Sequence, residues 1–122
     1  MRGFIITIIL FILLLSIVIL NFFYIDYIIN NMKQNINSLQ SIPCEENAIT
    51  INKIKENWQK DSVWVGLSVS YEDIEELTDM IASLEAANAV KDYNQFKLYC
   101  ELILNSIEDI GRLEKFSVNN IL

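Results

Sequence analysis

The sequence predicts an all-α protein in which an N-terminal transmembrane helix continues into an antiparallel bundle of three or four helices. The first observation is that the segment from Gly3 to Ile25 carries no charged residue. After this segment, apolar residues recur at steps of three and four, which is typical of one face of a helix. The 122 residues also include only three glycines and one proline, which disfavours a turn-rich β fold.

The chain length suits one small domain beside the apolar segment. We expect a transmembrane anchor over residues 1–25 and an amphipathic helix with a linker over residues 26–42. We expect an acidic extracytoplasmic helical bundle with an extended C-terminal tail over residues 43–122. Short connections near residues 41–43, 67–71 and 91–93 predict that neighbouring helices are antiparallel.

The apolar segment is long enough to cross a membrane, because about 20 apolar residues span the hydrocarbon core. A cleaved signal peptide is the alternative. Its apolar region usually has about 7 to 15 residues and precedes a cleavage site of small residues. The stretch over residues 21–31 contains no alanine, glycine or serine. The sequence therefore favours an uncleaved anchor.

The distribution of charge predicts the orientation of this anchor. Arg2 is the only charged residue before Asp26, and the next basic residue is Lys33. The positive-inside rule then places the N-terminus in the cytoplasm and the C-terminal domain outside the cell membrane, as a single-pass protein. Aromatic residues at the outer end of the segment would form a belt at the lipid headgroups: Phe22, Phe23, Tyr24 and Tyr27.

The helical pattern continues beyond the anchor and defines the first helix of the domain. Its apolar face consists of Ile25, Ile28, Ile29, Met32, Ile36 and Leu39. This face predicts either the first helix of the bundle or a dimerising coiled coil, for which two heptads are short. A second helix begins near Pro43, with Glu45 and Glu46 at the positive end of its dipole. Its inner face consists of Ile51, Ile54, Trp58 and Val65, and Trp64 lies beside that face.

Two further helices complete the predicted bundle. Ser70 and Asp73 resemble a capping box that begins a third helix, which runs to about Val90. A turn at Lys91-Asp92 precedes a fourth helix, which begins near Tyr93. The inner residues of the third helix are Ile74, Leu77, Ile81, Leu84 and Ala87 or Asn88. Those of the fourth are Phe96, Cys100, Ile103, Ile107 and Ile110.

The end of the fourth helix is predicted from its glycine. Gly111 suits a helix C-terminus. The tail from Phe116 to Leu122 has apolar residues but no helix signal, so we expect it to pack back on the bundle in an extended conformation.

The net charge limits the partners of the domain. From Asp26 onward there are 8 basic and 16 acidic residues, and 8 − 16 gives −8. Nucleic acid and anionic lipid both attract clustered Lys and Arg, so neither suits this domain. A basic protein surface does. The densest acidic group is Glu72, Asp73, Glu75, Glu76 and Asp79. All of these except Asp73 fall near one helix face, which is either a divalent-cation site or a solvated face. One straight helix cannot supply the six to eight oxygens of a calcium site, which favours the solvated face.

The residues for catalysis are missing from the sequence. It contains no histidine, no glycine-rich phosphate loop and no CxxC pair. Cys44 and Cys100 lie 56 positions apart, so they are either one disulfide of an extracytoplasmic domain or two partly buried thiols. We therefore expect no enzyme activity, no metal and no cofactor.

Aromatic and tail residues are the candidates for an interaction surface. Trp58, Trp64 and Tyr71 form either a ligand-stacking surface or part of the core and its rim. Together with the apolar residues of the tail, the possible interaction surface consists of Trp58, Trp64, Tyr71, Phe116, Ile121 and Leu122.

Several short motifs resemble those of one family. They are Asn57-Trp58-Gln59-Lys60, Ser62-Val63-Trp64, Tyr71-Glu72-Asp73-Ile74 and the terminal Ser117-Val118-Asn119-Asn120-Ile121-Leu122. With the apolar N-terminus, they resemble domain of unknown function 4363 (DUF4363), a group of short bacterial membrane proteins. The resemblance covers nearly the whole chain and carries over no catalytic residue. A histidine is common in that group near the position of Tyr71, and its absence argues against a histidine-based role.

The resemblance implies an accessory subunit beside a larger membrane protein. Together with the residues, it leads us to expect a non-catalytic, membrane-anchored accessory or interaction protein of the bacterial cell envelope. Its expected partners are the lipid bilayer, another envelope membrane protein and a further copy of the chain, with no nucleic acid. The alternative function is an extracytoplasmic sensor or small-ligand-binding module.

Overall fold

Four helices follow one another along the chain in a computed structural model. The structure describes residues 1–67 and 69–121, and the side chains of residues 1–67 and 69–112. The helices are α1 (Arg2–Asn37), α2 (Glu45–Val65), α3 (Tyr71–Ala89) and α4 (Tyr93–Ile121). Both α1 and α3 pack against α2 and α4. Because the connections are short, neighbouring helices are antiparallel, and the predicted all-α bundle is confirmed.

Helix α1 has two parts with different surroundings. No residue before Ile25 is buried, whereas the last turns of the helix supply part of the core. The buried residues of this second part are Ile25, Ile28, Ile29, Met32 and Ile36. The part of α1 from Ile25 onward is therefore the first helix of the bundle, as one of the two predictions stated. We call the end of the bundle from which the apolar part of α1 projects the base, and the opposite end the distal end.

The core consists of the predicted inner faces of the helices. Trp58 is 3% exposed, and its indole Nε1 donates a hydrogen bond of 2.8 Å to Oγ1 of Thr78. This bond satisfies the one polar atom of a large apolar side chain in the core. Side chains that are almost completely buried surround the bundle axis: Ile25, Ile51, Ile54, Leu77, Ile81, Leu84, Ile103 and Ile107.

Two buried asparagines hold the distal end together. The Asn88 side chain accepts a hydrogen bond from the Cys44 backbone N–H (3.1 Å) and donates one to the Cys44 carbonyl (2.9 Å). Asn47 accepts from the Gln40 N–H at 2.9 Å. Cys44 has extended backbone angles, so α2 begins at Glu45 rather than at Pro43. These bonds satisfy backbone groups that would otherwise be unpaired in a partly buried connection.

We expect Asn88→Ala to lower the free energy of unfolding by about 1–3 kcal/mol, because it removes both partners of the Cys44 backbone groups. Urea unfolding of the full chain in mild detergent, followed by circular dichroism, measures this change. Asn94→Ala is the matched control, since Asn94 is exposed near the start of α4 and its loss should change stability by less than about 0.5 kcal/mol. Equal effects of both substitutions would contradict the role of Asn88.

The turns before α3 and α4 follow the predicted residues. Oγ of Ser70 accepts a hydrogen bond from the Asp73 backbone N–H at 3.3 Å and donates one to the Asp73 carboxylate at 2.9 Å. The predicted capping interaction is therefore present. Lys91 adopts a left-handed conformation (φ 59°) at the turn between α3 and α4. The Asp92 carboxylate then accepts from the Gln95 N–H at 3.2 Å and caps α4.

The predicted end of the fourth helix is wrong. Gly111 does not end α4, and the chain from Phe116 onward is helical to Ile121 rather than extended. Gly111 has a negative φ, so it does not act as a left-handed cap. A β-carbon at Gly111 would lie 3.4 Å from Cδ1 of Ile29, which shows that the glycine faces α1 where the two helices meet.

Candidate interaction surface at the base of the bundle

The base of the bundle is defined by a contact between α1 and α2. The rings of Tyr24 and Trp64 lie 6.4 Å apart in an edge-to-face arrangement with an interplanar angle of 79°. The Tyr24 hydroxyl donates a hydrogen bond of 3.1 Å to Oδ1 of Asp61, one turn earlier on α2. The two interactions fix the end of α2 beside the point at which α1 changes from exposed and apolar to buried.

A group of exposed apolar side chains surrounds this contact. Four large residues at the end of α2 and the start of α3 are more than half exposed: Val63 (69%), Trp64 (55%), Leu67 (74%) and Tyr71 (75%). Between them along the chain, Val65 and Val69 are buried and face the core. We call the four exposed residues the base patch. Four of the six apolar residues of this segment are therefore exposed in the described part of the chain.

The predicted interaction residues are separated by the fold. Trp64 and Tyr71 lie in the base patch, whereas Trp58 lies inside the bundle and contributes nothing to its surface. That part of the prediction is wrong, because Trp58 falls on the inner face of α2 at helical spacing from Ile54. The side chains of Phe116, Ile121 and Leu122 lie outside the described residues.

Sequence reasoning missed two members of the patch. Val63 and Leu67 lie four positions apart and off the inner face of α2, which was the available signal for an exposed apolar pair. Leu67 also lies in the connection predicted near residues 67–71, where exposure of single apolar residues is ordinary, whereas Val63 lies before it on the second helix. Their grouping with Trp64 and Tyr71 depends on the α2–α3 turn.

The interior beside Trp58 is almost filled. A cavity of about 10 Å³ is lined there only by apolar side chains, among them Ile28, Met32 and Leu77. Sites for small molecules usually have about 300 to 1,000 Å³. The proximity of Trp58, Trp64 and Tyr71 in sequence therefore does not create a ligand cavity beside Trp58.

The predicted acidic face of α3 is exposed to solvent. The described ion pairs are Lys33–Glu108 (3.7 Å), Lys55–Glu85 (3.4 Å) and Arg112–Asp109. None of them, among the residues with described side chains, involves the first turns of α3. The unpaired residues of this acidic face are Glu72, Glu75, Glu76 and Asp79. Within that same part of the chain, no group of three or more His, Cys, Asp or Glu side chains is arranged to hold a metal ion.

Both cysteines are free thiols and half-buried. Burial, with a smaller contribution from the negative charge of Glu101, raises the pKa of the Cys100 thiol to about 11. The thiolate is the reactive form, so the folded chain holds Cys100 in an unreactive state near neutral pH.

We expect iodoacetamide to modify Cys100 slowly at pH 8 and much faster in urea, where the thiol returns to its ordinary pKa of 9.0. Because the folded state raises this pKa, the thiol favours folding below about pH 9. That contribution is lost as the pH rises toward 11. A Cys44→Ser variant isolates the signal of Cys100. Equal modification rates in native and unfolded chains would contradict the burial of this thiol.

The chain matches a known protein family. A family model described as a domain of unknown function (DUF4363) matches residues 19–121. The match therefore contains the whole bundle and the C-terminal end of the apolar segment. No curated protein and no solved structure matches the chain. Among the described residues, α1 is long and apolar enough to cross a membrane by length and composition, and its most apolar window is not buried by the bundle.

Proposed function

Because the chain belongs to the DUF4363 family, which comes without an assigned activity, we propose a function from its geometry. The protein is a membrane-anchored accessory protein of the bacterial cell envelope without catalytic activity. Its helix α1 crosses the membrane once and holds the helical bundle on the outer side. The bundle binds another membrane protein.

The continuity of α1 is the observation that carries this proposal. Residues 3–24 carry no charge, are apolar on all sides of the helix and include no buried residue, whereas Ile25 and the following turns supply core residues to the same unbroken helix. The exposed part is roughly 33 Å long at 1.5 Å per residue, close to the thickness of the hydrocarbon core. A lipid bilayer would remove this apolar surface from water, whereas the other helices of the bundle leave it uncovered.

The same continuity supports an uncleaved anchor over a signal peptide. Cleavage after the apolar run would cut within residues 21–31, where α1 already contributes Ile25, Ile28 and Ile29 to the core. Loss of these side chains would expose the inner faces of α2 and α4. A small bundle is only marginally stable, because a domain of this size buries only about 60% of the surface that its unfolded chain exposes.

The charge distribution supports the orientation and the kind of partner. Arg2 precedes the apolar segment, and all 16 acidic residues follow it, which favours a cytoplasmic N-terminus and an external bundle. The exposed acidic face of α3 suits a basic surface on a neighbouring protein. The alternative function, a small-ligand-binding module, lacks such support, because the interior beside Trp58 is almost filled.

Membrane fractionation tests the anchoring part of the proposal. We expect the full-length chain, with its apolar segment present by intact mass, to remain in the membrane pellet after a high-salt and alkaline wash. A C-terminal reporter that works only outside the cytoplasm should be active. Recovery of the chain in the wash, or a mature mass without the apolar segment, would overturn the proposal.

Co-purification in mild detergent tests the partner. We expect a stoichiometric partner whose recovery falls about tenfold when Glu72, Glu75 and Glu76 are changed to Gln, because three exposed charge pairs contribute about 0.5 kcal/mol each. The matched control changes Glu45, Glu56 and Glu101 to Gln, which removes the same charge from other exposed positions. Equal recovery with both variants would exclude the α3 face, and recovery of no partner would exclude the accessory role.

A further inference from the structure

The base patch lies at the level where the apolar part of α1 ends. Trp64 contacts Tyr24, and the first charged residue of α1 after the apolar segment is Asp26. Because α2 is antiparallel to α1, the chain after Trp64 continues toward the apolar part of α1. Leu67 and the α2–α3 turn therefore lie beyond Trp64, on the side of the proposed membrane.

Helix α4 also runs toward the base, along another side of α1. Nζ of Lys33 lies 3.7 Å from Oε1 of Glu108, and Gly111 faces Ile29. The backbone of α4 continues as a helix from Arg112 to Ile121, which adds about 14 Å at 1.5 Å per residue. The base of the bundle thus has the α2–α3 turn on one side of α1 and the last turns of α4 on another.

We propose that the base patch is a second membrane contact, at which Val63, Trp64, Leu67 and Tyr71 lie in the headgroup layer of the bilayer that α1 crosses. This inference rests on the proposed anchoring. The contact holds the bundle upright on the membrane and fixes which of its faces points toward a neighbouring protein.

The position of the patch identifies lipid as its occupant. A bilayer crossed by residues 3–24 has its outer headgroup layer beside Tyr24, so the patch meets lipid without any movement of the domain. Trp and Tyr combine an apolar ring with a polar tip and prefer this layer. The patch also continues the aromatic belt of α1, in which Phe22 and Phe23 have ring centroids 5.7 Å apart and Tyr27 is 67% exposed.

Nearby carboxylates set the depth of the contact and the kind of lipid. Asp61, Glu72 and Asp73 lie next to the patch in sequence, and a charged side chain is costly in the hydrocarbon core. The patch therefore enters only the headgroup and upper acyl layer, about 5–10 Å deep. The same carboxylates repel anionic headgroups, so zwitterionic lipid should favour the contact and anionic lipid should weaken it.

Tryptophan fluorescence of the full chain in phosphatidylcholine nanodiscs tests the proposal. Lipid brominated close to the headgroup should quench Trp64 strongly, and lipid brominated near the bilayer centre should quench it less. Trp64→Phe reports the remaining signal of buried Trp58, and we expect it to lose most of the lipid-dependent quenching. Replacing half of the phosphatidylcholine by phosphatidylglycerol should reduce the quenching of Trp64.

A charged substitution in the patch has a matched control at the distal end. Leu67→Asp should reduce the lipid quenching of Trp64 several-fold, whereas Ile49→Asp should leave it unchanged, since Ile49 is equally exposed (77%) on α2 but far from the base. Both variants should stay in the nanodisc, because α1 is intact. Quenching of Trp64 by aqueous acrylamide but not by lipid would overturn the second contact while leaving the anchor in place.

Other occupants of the patch would give a different result. Protection of Trp64 from both acrylamide and brominated lipid would indicate a protein partner or a second copy of the chain, and would also overturn the proposal. A chain that does not remain in the nanodisc at all would overturn the anchoring itself, and the membrane contact with it.

Discussion

Changing Leu13 and Leu14 to arginine should transfer the protein from the membrane to the aqueous fraction. Both leucines lie near the middle of the apolar part of α1 and are exposed. At the centre of a membrane helix, arginine costs about 3–4 kcal/mol more than leucine, so the pair opposes insertion by roughly 7 kcal/mol. Ultracentrifugation of cell lysates after a salt wash, with detection of a C-terminal tag, measures the distribution.

The control for this experiment adds the same two charges outside the membrane. Ile42→Arg with Ile49→Arg places them on exposed apolar residues at the distal end, where they should leave the chain in the pellet. If the Leu13 and Leu14 variant stayed in the membrane fraction as firmly as this control, α1 would not be the anchor. The bundle would then be held there by other contacts.

Changing Trp58 to alanine should lower the free energy of unfolding by about 3–5 kcal/mol, the usual cost of removing a large aromatic side chain from a core. Trp58 is 3% exposed, borders the small cavity and bonds Thr78, so its loss enlarges the cavity and leaves the Thr78 hydroxyl without this partner. Because a small domain has a total stability of about 5–15 kcal/mol, this is a large fraction. Urea unfolding in mild detergent measures it.

Trp64→Ala is the comparison for this prediction. Trp64 is 55% exposed, and its described ring contact is with Tyr24, so its removal should cost less than about 1.5 kcal/mol. The two tryptophans lie six positions apart on one helix, and only their burial separates them. A similar loss of stability for both variants would contradict the packing of α2.

The inner faces of the helices could be predicted because one periodicity determines them. Ile51, Ile54 and Trp58 repeat at steps of three and four, and each of them is buried. The Ser70–Asp73 cap and the turn at Lys91 could also be predicted, because they depend on residues adjacent in sequence. The end of α4 could not. Gly111 looks like a helix end by local preference, and packing against Ile29 overrides that preference.

The candidate site could likewise be predicted from the sequence only in part, as the base patch shows. Sequence patterns indicated Trp64 and Tyr71 as candidate surface residues, and both are exposed. The same patterns also included Trp58, which is aromatic but buried in the core. Residues 63–71 contain buried and exposed apolar side chains in alternation. Helical spacing assigned Val65 to the inner face, but no local rule assigns Val69 and Tyr71, because the direction of their side chains depends on where α2 ends and α3 begins.

The sequence by itself determined the all-α class, the four helices, the apolar N-terminal segment and the faces that pack together. Local helix geometry and the spacing of apolar residues are sufficient for these. Only the tertiary structure decided that the continuation of α1 beyond the apolar segment packs into the core of the bundle rather than forming a separate coiled coil. It also decided that the end of α2 lies beside Tyr24 and that α4 continues past Gly111 to Ile121. These features depend on contacts between residues far apart in sequence, such as Lys33 with Glu108, which no local pattern encodes.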